Sequence, residues 1–199
     1  MTNNTNVTLD YYNQKASEFY NNTVKVNFSK IQQDFCKYIA TGGKILDLGC
    51  GSGRDSKAFL DAGYDVTAID GSSELCKIAS QFIGKDVECT TFQDYQTDTI
   101  FDGIWACATL LHLNEEDIVK VMNKLSKNLK QDGCFYASFK YGDFSGIRNG
   151  RFFQNMTETS FKELLKNMPY YELISFAITS DVRSGREDEK WLNAFLRRK

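Results

Sequence analysis

Asp47, Gly49, Gly51 and Gly53, each two residues from the next, are the part of this 199-residue chain best suited to chemistry. They lie in Lys44-Ile45-Leu46-Asp47-Leu48-Gly49-Cys50-Gly51-Ser52-Gly53-Arg54-Asp55, ahead of a helical pattern from Ser56 to Ala62. A strand, a tight glycine turn and a helix N-terminus in that order present bare backbone N–H groups to a ligand at the positive end of a helix. The arrangement suits a nucleotide-like cofactor. A dinucleotide fingerprint needs glycine or alanine at its sixth position. Counted from Gly49 that residue is Arg54, and from Gly51 it is Ser56. No Gly-Lys-Ser/Thr follows, so a P-loop is excluded as well. An acid at position 47 would repel phosphate and suits a cationic group such as an amine or a sulfonium.

These residues resemble motif I of the class I S-adenosylmethionine (SAM) methyltransferases, D-x-G-x-G-x-G, and Asp47, Gly49, Gly51 and Gly53 match every fixed position. The resemblance runs from about residue 8 to the C-terminus and is to small bacterial members, including the tellurite-resistance-like type. It implies a Rossmann-like seven-stranded sheet, SAM as cofactor and methyl transfer by in-line displacement from the sulfonium.

Further candidates follow along the chain. Asp70, beside Gly71, ends an apolar run and is placed to accept both ribose hydroxyls; the alternative is a helix N-cap. The resemblance implies an acid reading the adenine amine at the end of the third strand. Gln93 holds that slot between Phe92 and Asp94, and its amide oxygen can accept from an amine. Cys107 and Ala108 are small enough for the methionine end of the cofactor to approach, as Cys50 is within the turn. Arg54 either pairs with the cofactor carboxylate or is solvated. His112, the only histidine, is a weak candidate for general base, the alternative being a packing role. Tyr141, Arg148, Arg151, Arg183 and Arg186 are candidates for the acceptor side, where the arginines would form a basic rim suited to an acidic acceptor; the competing reading is surface ion pairing.

The elements that must position these groups show in the periodicity. Residues 1–7 look disordered, and 8–22 read as a helix. Ser29 and Gln32 form a capping box for a second helix with Phe28, Ile31, Phe35 and Ile39 on its apolar face. The two helices within residues 1–40, carrying Tyr11, Tyr12, Phe19 and Tyr20, would form a lid with Tyr12 and Tyr20 against the cofactor. Strands at 44–48, 64–69, 87–92, 101–106 and 134–140 alternate with helices at 54–62, 73–82 and 115–130, which means a parallel sheet covered on both faces. Residues 141–170 are a substrate-side insert, opening on a Gly/aromatic/Arg stretch and containing a helix at 158–168. Runs at 172–179 and 190–197, with only a polar loop between them, must pair antiparallel. The whole chain reads as one α/β domain.

A net charge of −2 gives no global basic field for nucleic acid, and the Asp/Asn-Pro-Pro-aromatic signature of DNA N-methylating enzymes is absent. Six dispersed cysteines with one histidine argue against a zinc site. No signal peptide or apolar span is present, so a cytoplasmic location without membrane contact is expected. The reading is methyl transfer from SAM to a small molecule. A non-catalytic SAM-binding or regulatory module and a nucleic-acid methyltransferase are the alternatives.

Overall fold

A computed structural model describes residues 3–183 and 185–199. Its centre is a seven-stranded sheet in the order β3-β2-β1-β4-β5-β9-β8. The five strands β1 (Lys44–Leu48), β2 (Asp65–Asp70), β3 (Glu88–Cys89), β4 (Phe101–Ala106) and β5 (Leu129–Lys140) are parallel to one another. β8 (Tyr171–Ser180) and β9 (Lys190–Arg198) form the antiparallel hairpin, with β9 against β5. The chain order reverses between β1 and β4, and in open α/β sheets the crevice at the carboxyl ends of such strands is where ligands bind.

The strands are apolar because both faces are covered: Ile45, Leu46 and Leu48 of β1 and Ile104 and Trp105 of β4 are fully buried. α4 (Arg54–Asp61), α5 (Ser73–Ile83), α6 (Glu115–Leu125) and α7 (Glu158–Leu165) pack around the sheet. Asn114 caps α6 by accepting from the Asp117 N–H at 2.9 Å, as its position implies.

Several boundaries differ from the sequence expectation. Of residues 1–7, Met1 and Thr2 lie outside the described residues, and α1 (Asn3–Gln14) already begins at Asn3. Tertiary contact explains this: Thr8 is buried and its Oγ1 accepts from the Phe152 N–H at 3.1 Å. The single helix 8–22 is two, α1 and α2 (Ala16–Thr23), with a break at Lys15. The Ser29/Gln32 capping box does not form at α3 (Ser29–Cys36). Asn27 Oδ1 accepts from the Ser29 N–H and hydroxyl instead, while the Gln32 amide donates to Asp55 at 2.7 Å. Strand 87–92 shrinks to Glu88–Cys89, because Thr91 starts a turn closed by Tyr95 N–H on Thr91 O. The helix expected over 115–130 ends at Leu125, where Ser126 Oγ donates to Asn123 O; Asn128 turns away to donate to Thr97 O, and β5 starts at Leu129. The helix expected over 158–168 ends at Leu165. The insert holds a two-stranded hairpin, β6 (Ser145–Arg148) and β7 (Arg151–Gln154), which the Gly/Arg pattern concealed.

Candidate active site

The three glycines of the turn take positive φ of 79°, 56° and 78° at 49, 51 and 53, but they do different jobs. A Cβ at Gly49 would lie 2.0 Å from Thr109 Oγ1, so this glycine lets β1 press against the segment after β4. A Cβ at Gly53 would meet Ile83 at 2.9 Å, so this one seats α4 on α5. Gly51 faces the crevice, and only Phe19 of α2 lies above its bare Cα, with the ring 3.0 Å from a Cβ placed there. Cys50 also lines the crevice, and burial raises its thiol well above the ordinary range.

Two carboxylates stand here without a cation among the described residues. Asp47 is buried and accepts from Ser56 Oγ at 2.5 Å; burial and the neighbouring charge of Asp55 raise its pKa well above the usual carboxylate range. Asp70 accepts from the Gly51 N–H at 2.9 Å and the Ser72 N–H at 2.8 Å, and burial raises it against those two bonds. Asp70 is not the helix cap: Ser72 caps α5 by accepting from the Leu75 N–H.

Phe92 and Gln93 line the crevice, whereas Asp94 is exposed and accepts from Thr91 Oγ1. Lys124 donates to the carbonyl oxygens of Phe92, Gln93 and Tyr95 at 2.8–2.9 Å, holding this turn open. Gln93 Oε1 is buried with no hydrogen-bond partner. A buried amide acceptor left unmet costs about 1–3 kcal/mol, which a donor on a ligand would relieve.

Arg54 is neither solvated nor free for a ligand. Its Nε and Nη2 each donate to Asp55 at 2.8 Å, with the guanidinium 4.7 Å above the Phe28 ring. Asp55 also accepts from Trp105 Nε1 at 2.9 Å and from Gln32. Burial opposes its ionisation, but Arg54 and these donors hold it below the usual range. Asp55 was missed from sequence; its adjacency to Arg54 was the only available signal. Cys107 lies under Arg54, 3.8 Å from Nη2, and burial pushes its thiol up to about 12. Ala108 takes a φ of +51°, held by its N–H donating to Ser138 Oγ at 2.8 Å.

The N-terminal helices close the crevice from above. Leu9 lies against Gly71, where a Cβ would meet it at 2.7 Å, and Asn13 Oδ1 accepts from Ser72 Oγ at 2.7 Å. Tyr12 lines the crevice, whereas Tyr20 points away and packs edge-on against Phe82, 5.8 Å between centroids. Tyr12 OH lies 2.9 Å from His112 Nε2 and His112 Nδ1 lies 2.7 Å from the Phe152 carbonyl. A carbonyl only accepts, so Nδ1 carries the proton and Nε2 accepts from Tyr12. Burial pushes His112 down to about 4, with Arg151 adding to the shift, so the imidazole is neutral near pH 7.

The five acceptor-side candidates separate. Arg151, Arg183 and Arg186 line the crevice. Arg183 is bidentate on Asp181, at 2.9 Å and 2.5 Å; despite burial, Arg183 and Trp191 hold Asp181 down at about 2. Arg148 lies over the rings of Phe144 and Phe153, outside the crevice lining. Tyr141 is partly exposed and donates to Glu158, also outside it. Lys140, unforeseen from sequence, lines the crevice and pairs with Glu189.

The family description of a methyltransferase domain matches residues 45–133. An uncharacterized methyltransferase from Staphylococcus carnosus is 28% identical over 142 residues, covering 68% of this chain and 68% of that protein. The chain spans 45% and 50% of two further methyltransferase relatives. In fold it is similar to the Burkholderia thailandensis 1,6-didemethyltoxoflavin-N1-methyltransferase solved with its substrate and S-adenosylhomocysteine (TM-score 0.78, 19% identity, 98% of this chain and 88% of that one). It is also similar to TehB from Haemophilus influenzae (TM-score 0.68, 20% identity, 96% and 66%). The glycine turn at the β1/β4 crossover and the added antiparallel hairpin give the chain the fold of the SAM-dependent methyltransferases it is similar to, and residues 45–133 match a methyltransferase domain. No described helix is long and apolar enough to cross a membrane.

The residues present fit SAM. Asp47 and Asp70 lack cations of their own, Gln93 Oε1 lacks a donor, and Gly51 leaves the backbone open.

Proposed function

We propose that this chain moves a methyl group from SAM to a small-molecule acceptor held between the cofactor and the insert. The observation that carries the reading is the pair of buried, cation-free carboxylates, Asp47 and Asp70, flanking the open backbone at Gly51. In this reading Asp47 takes the ammonium of the methionine moiety, Asp70 the ribose hydroxyls and Gln93 the adenine amine. SAM, when bound, supplies a methyl group already activated on a sulfonium. What remains for the protein is alignment and exclusion of water. Phe19 and Tyr12 roof the crevice, and Ala108 and Cys107 leave room at its floor. His112 positions Tyr12 by accepting from it, and its low basicity suits it poorly to take a proton from the acceptor.

Titration calorimetry tests the cofactor assignment. SAM and S-adenosylhomocysteine bind and NAD does not; NAD binding without SAM binding would overturn it. A small-metabolite screen for S-adenosylhomocysteine release then separates an enzyme, which turns over on some members, from a regulatory SAM-binding module, which turns over on none.

A further inference from the structure

We propose that the methyl acceptor is a small organic anion whose planar oxyanion, such as a carboxylate, docks on Arg151. This rests on the methyltransferase reading and names its substrate class.

The charges lining the crevice do not balance locally. At the glycine turn, Asp47 and Asp70 have no cation partner, while Arg54 is consumed by Asp55. At the other end Arg183 is consumed by Asp181. There Lys140 and Arg186 share the one carboxylate of Glu189, the Arg186 pair being as long as 3.7 Å. Arg151 has no carboxylate within ion-pair distance among the described residues, and its Nε is buried without a hydrogen-bond partner. Three cations therefore face one anion at the insert end, and two buried carboxylates, whose ionised form a cation would favour, face none at the turn. A cationic sulfonium cofactor answers the second imbalance, and an anion beside it answers the first.

The guanidinium of Arg151 is held ready. It lies 4.4 Å from the centroid of Tyr11 and 5.1 Å from that of Phe153, and its Nη1 donates to Tyr12 OH at 3.3 Å. Stacking on aromatic faces fixes its plane, so little rotamer entropy is lost when it engages a ligand. A planar fork of donors matches an oxyanion in bidentate fashion. The neighbouring His112 donates its one proton to a backbone carbonyl and brings no negative charge.

The test uses the full chain saturated with S-adenosylhomocysteine and a panel of small aromatic and aliphatic carboxylates, each beside its neutral amide, followed by calorimetry. Carboxylates are expected to bind and their amides to bind about tenfold more weakly or worse, the equivalent of one charge-assisted contact. Arg151→Gln should remove the preference, Arg151→Lys should restore part of it, and Arg186→Ala, an exposed change that spares the fold, should weaken the carboxylates several-fold. Equal binding of acids and amides, no carboxylate binding, or a preference that survives Arg151→Gln overturns the inference. The S-adenosylhomocysteine titration that precedes the panel reports on the methyltransferase reading separately: its failure sinks that reading, whereas its success with no anion preference sinks only this one.

Discussion

Asp70→Asn separates the two things the Asp70 carboxylate does. In the structure Asp70 accepts two backbone N–H groups, from Gly51 at 2.9 Å and Ser72 at 2.8 Å. Alanine would orphan both donors, a loss of about 1–3 kcal/mol each offset by relief of a buried carboxylate that has no cation. Asparagine keeps an acceptor for one donor and removes the charge, so the offset is nearly complete. The thermal midpoint of Asp70→Asn should stay within about 5 °C of the parent, since about 2–4 °C corresponds to 1 kcal/mol in a domain of this size. Cofactor binding is different. On the proposed reading the carboxylate takes two ribose hydroxyls, and losing the charge from such contacts costs about 1.5–3 kcal/mol, or about 10- to 150-fold in Kd. Calorimetry with S-adenosylhomocysteine, paired with a thermal scan without ligand, gives both numbers. A variant that binds as the parent does would confine Asp70 to bracing the turn and refute the ribose assignment. A variant that loses both stability and binding in proportion would show that the braced loop, not the charge, recognises the ligand.

The glycines give a contrast of the same kind. Gly49→Ala forces a Cβ to 2.0 Å from Thr109 Oγ1 and should cost at least about 3 kcal/mol in urea melts, whereas Gly51→Ala, at a φ of 56° that alanine tolerates for about 1–2 kcal/mol, should keep the fold. Asp55→Ala leaves the Arg54 guanidinium buried and unpaired and should destabilise by about 3–5 kcal/mol; a melt within 1 kcal/mol of the parent would show that water reaches Arg54 instead. Stability should also fall as pH drops from about 6.5 to 4. His112 titrates near 4 folded and at its ordinary value unfolded, so in that window the unfolded chain binds the extra proton and the folded state loses up to about 3 kcal/mol. His112→Gln should flatten this segment of the pH–stability curve relative to the parent, and an unchanged slope would assign it to carboxylates alone.

Local spacing made half of the site legible. Asp47 and the glycines are bound to one another by covalent geometry, and the strand/helix alternation around them fixes where a parallel sheet must change direction. Asp70 could be singled out because it ends β2, and Gln93 because it follows the third apolar run, although that strand stops at Cys89 and Gln93 sits in the turn beyond it. What escaped depends on contacts between distant parts of the chain. Arg54 was open to two readings because its consumption by Asp55 needs Trp105 and Gln32 to hold that carboxylate in place. Tyr20 shares a helix with Phe19, but a side chain one position on points about 100° away, toward Phe82. The four acceptor-side arginines looked alike in sequence. Arg148 and Arg151 face each other across the β6–β7 hairpin and both approach Phe153, but only Arg151 reaches Tyr11 and Tyr12 of α1, whereas Arg183 and Arg186 lie in the β8–β9 loop against Asp181 and Glu189.

The site is closed by bonds that bridge most of the chain length. Tyr12 meets His112, Thr8 meets Phe152, and Arg151 reaches back to Tyr11 and Tyr12. Neither α1 nor the β6–β7 hairpin has a core of its own; α1 presents little apolar surface, and β6 is largely exposed. α1 rests on β7 and, through Leu9 and Asn13, on Gly71 and Ser72, while β7 buries Phe152 and Phe153. The glycine turn, by contrast, is braced within the sheet, where Gly49 and Cys50 both donate to Ile69 O at 2.9 Å. The cofactor end of the crevice is thus built on the sheet and covered by Leu9 and Phe19, and the acceptor end joins the insert to β5 and β9 through Arg151, Lys140 and Trp191.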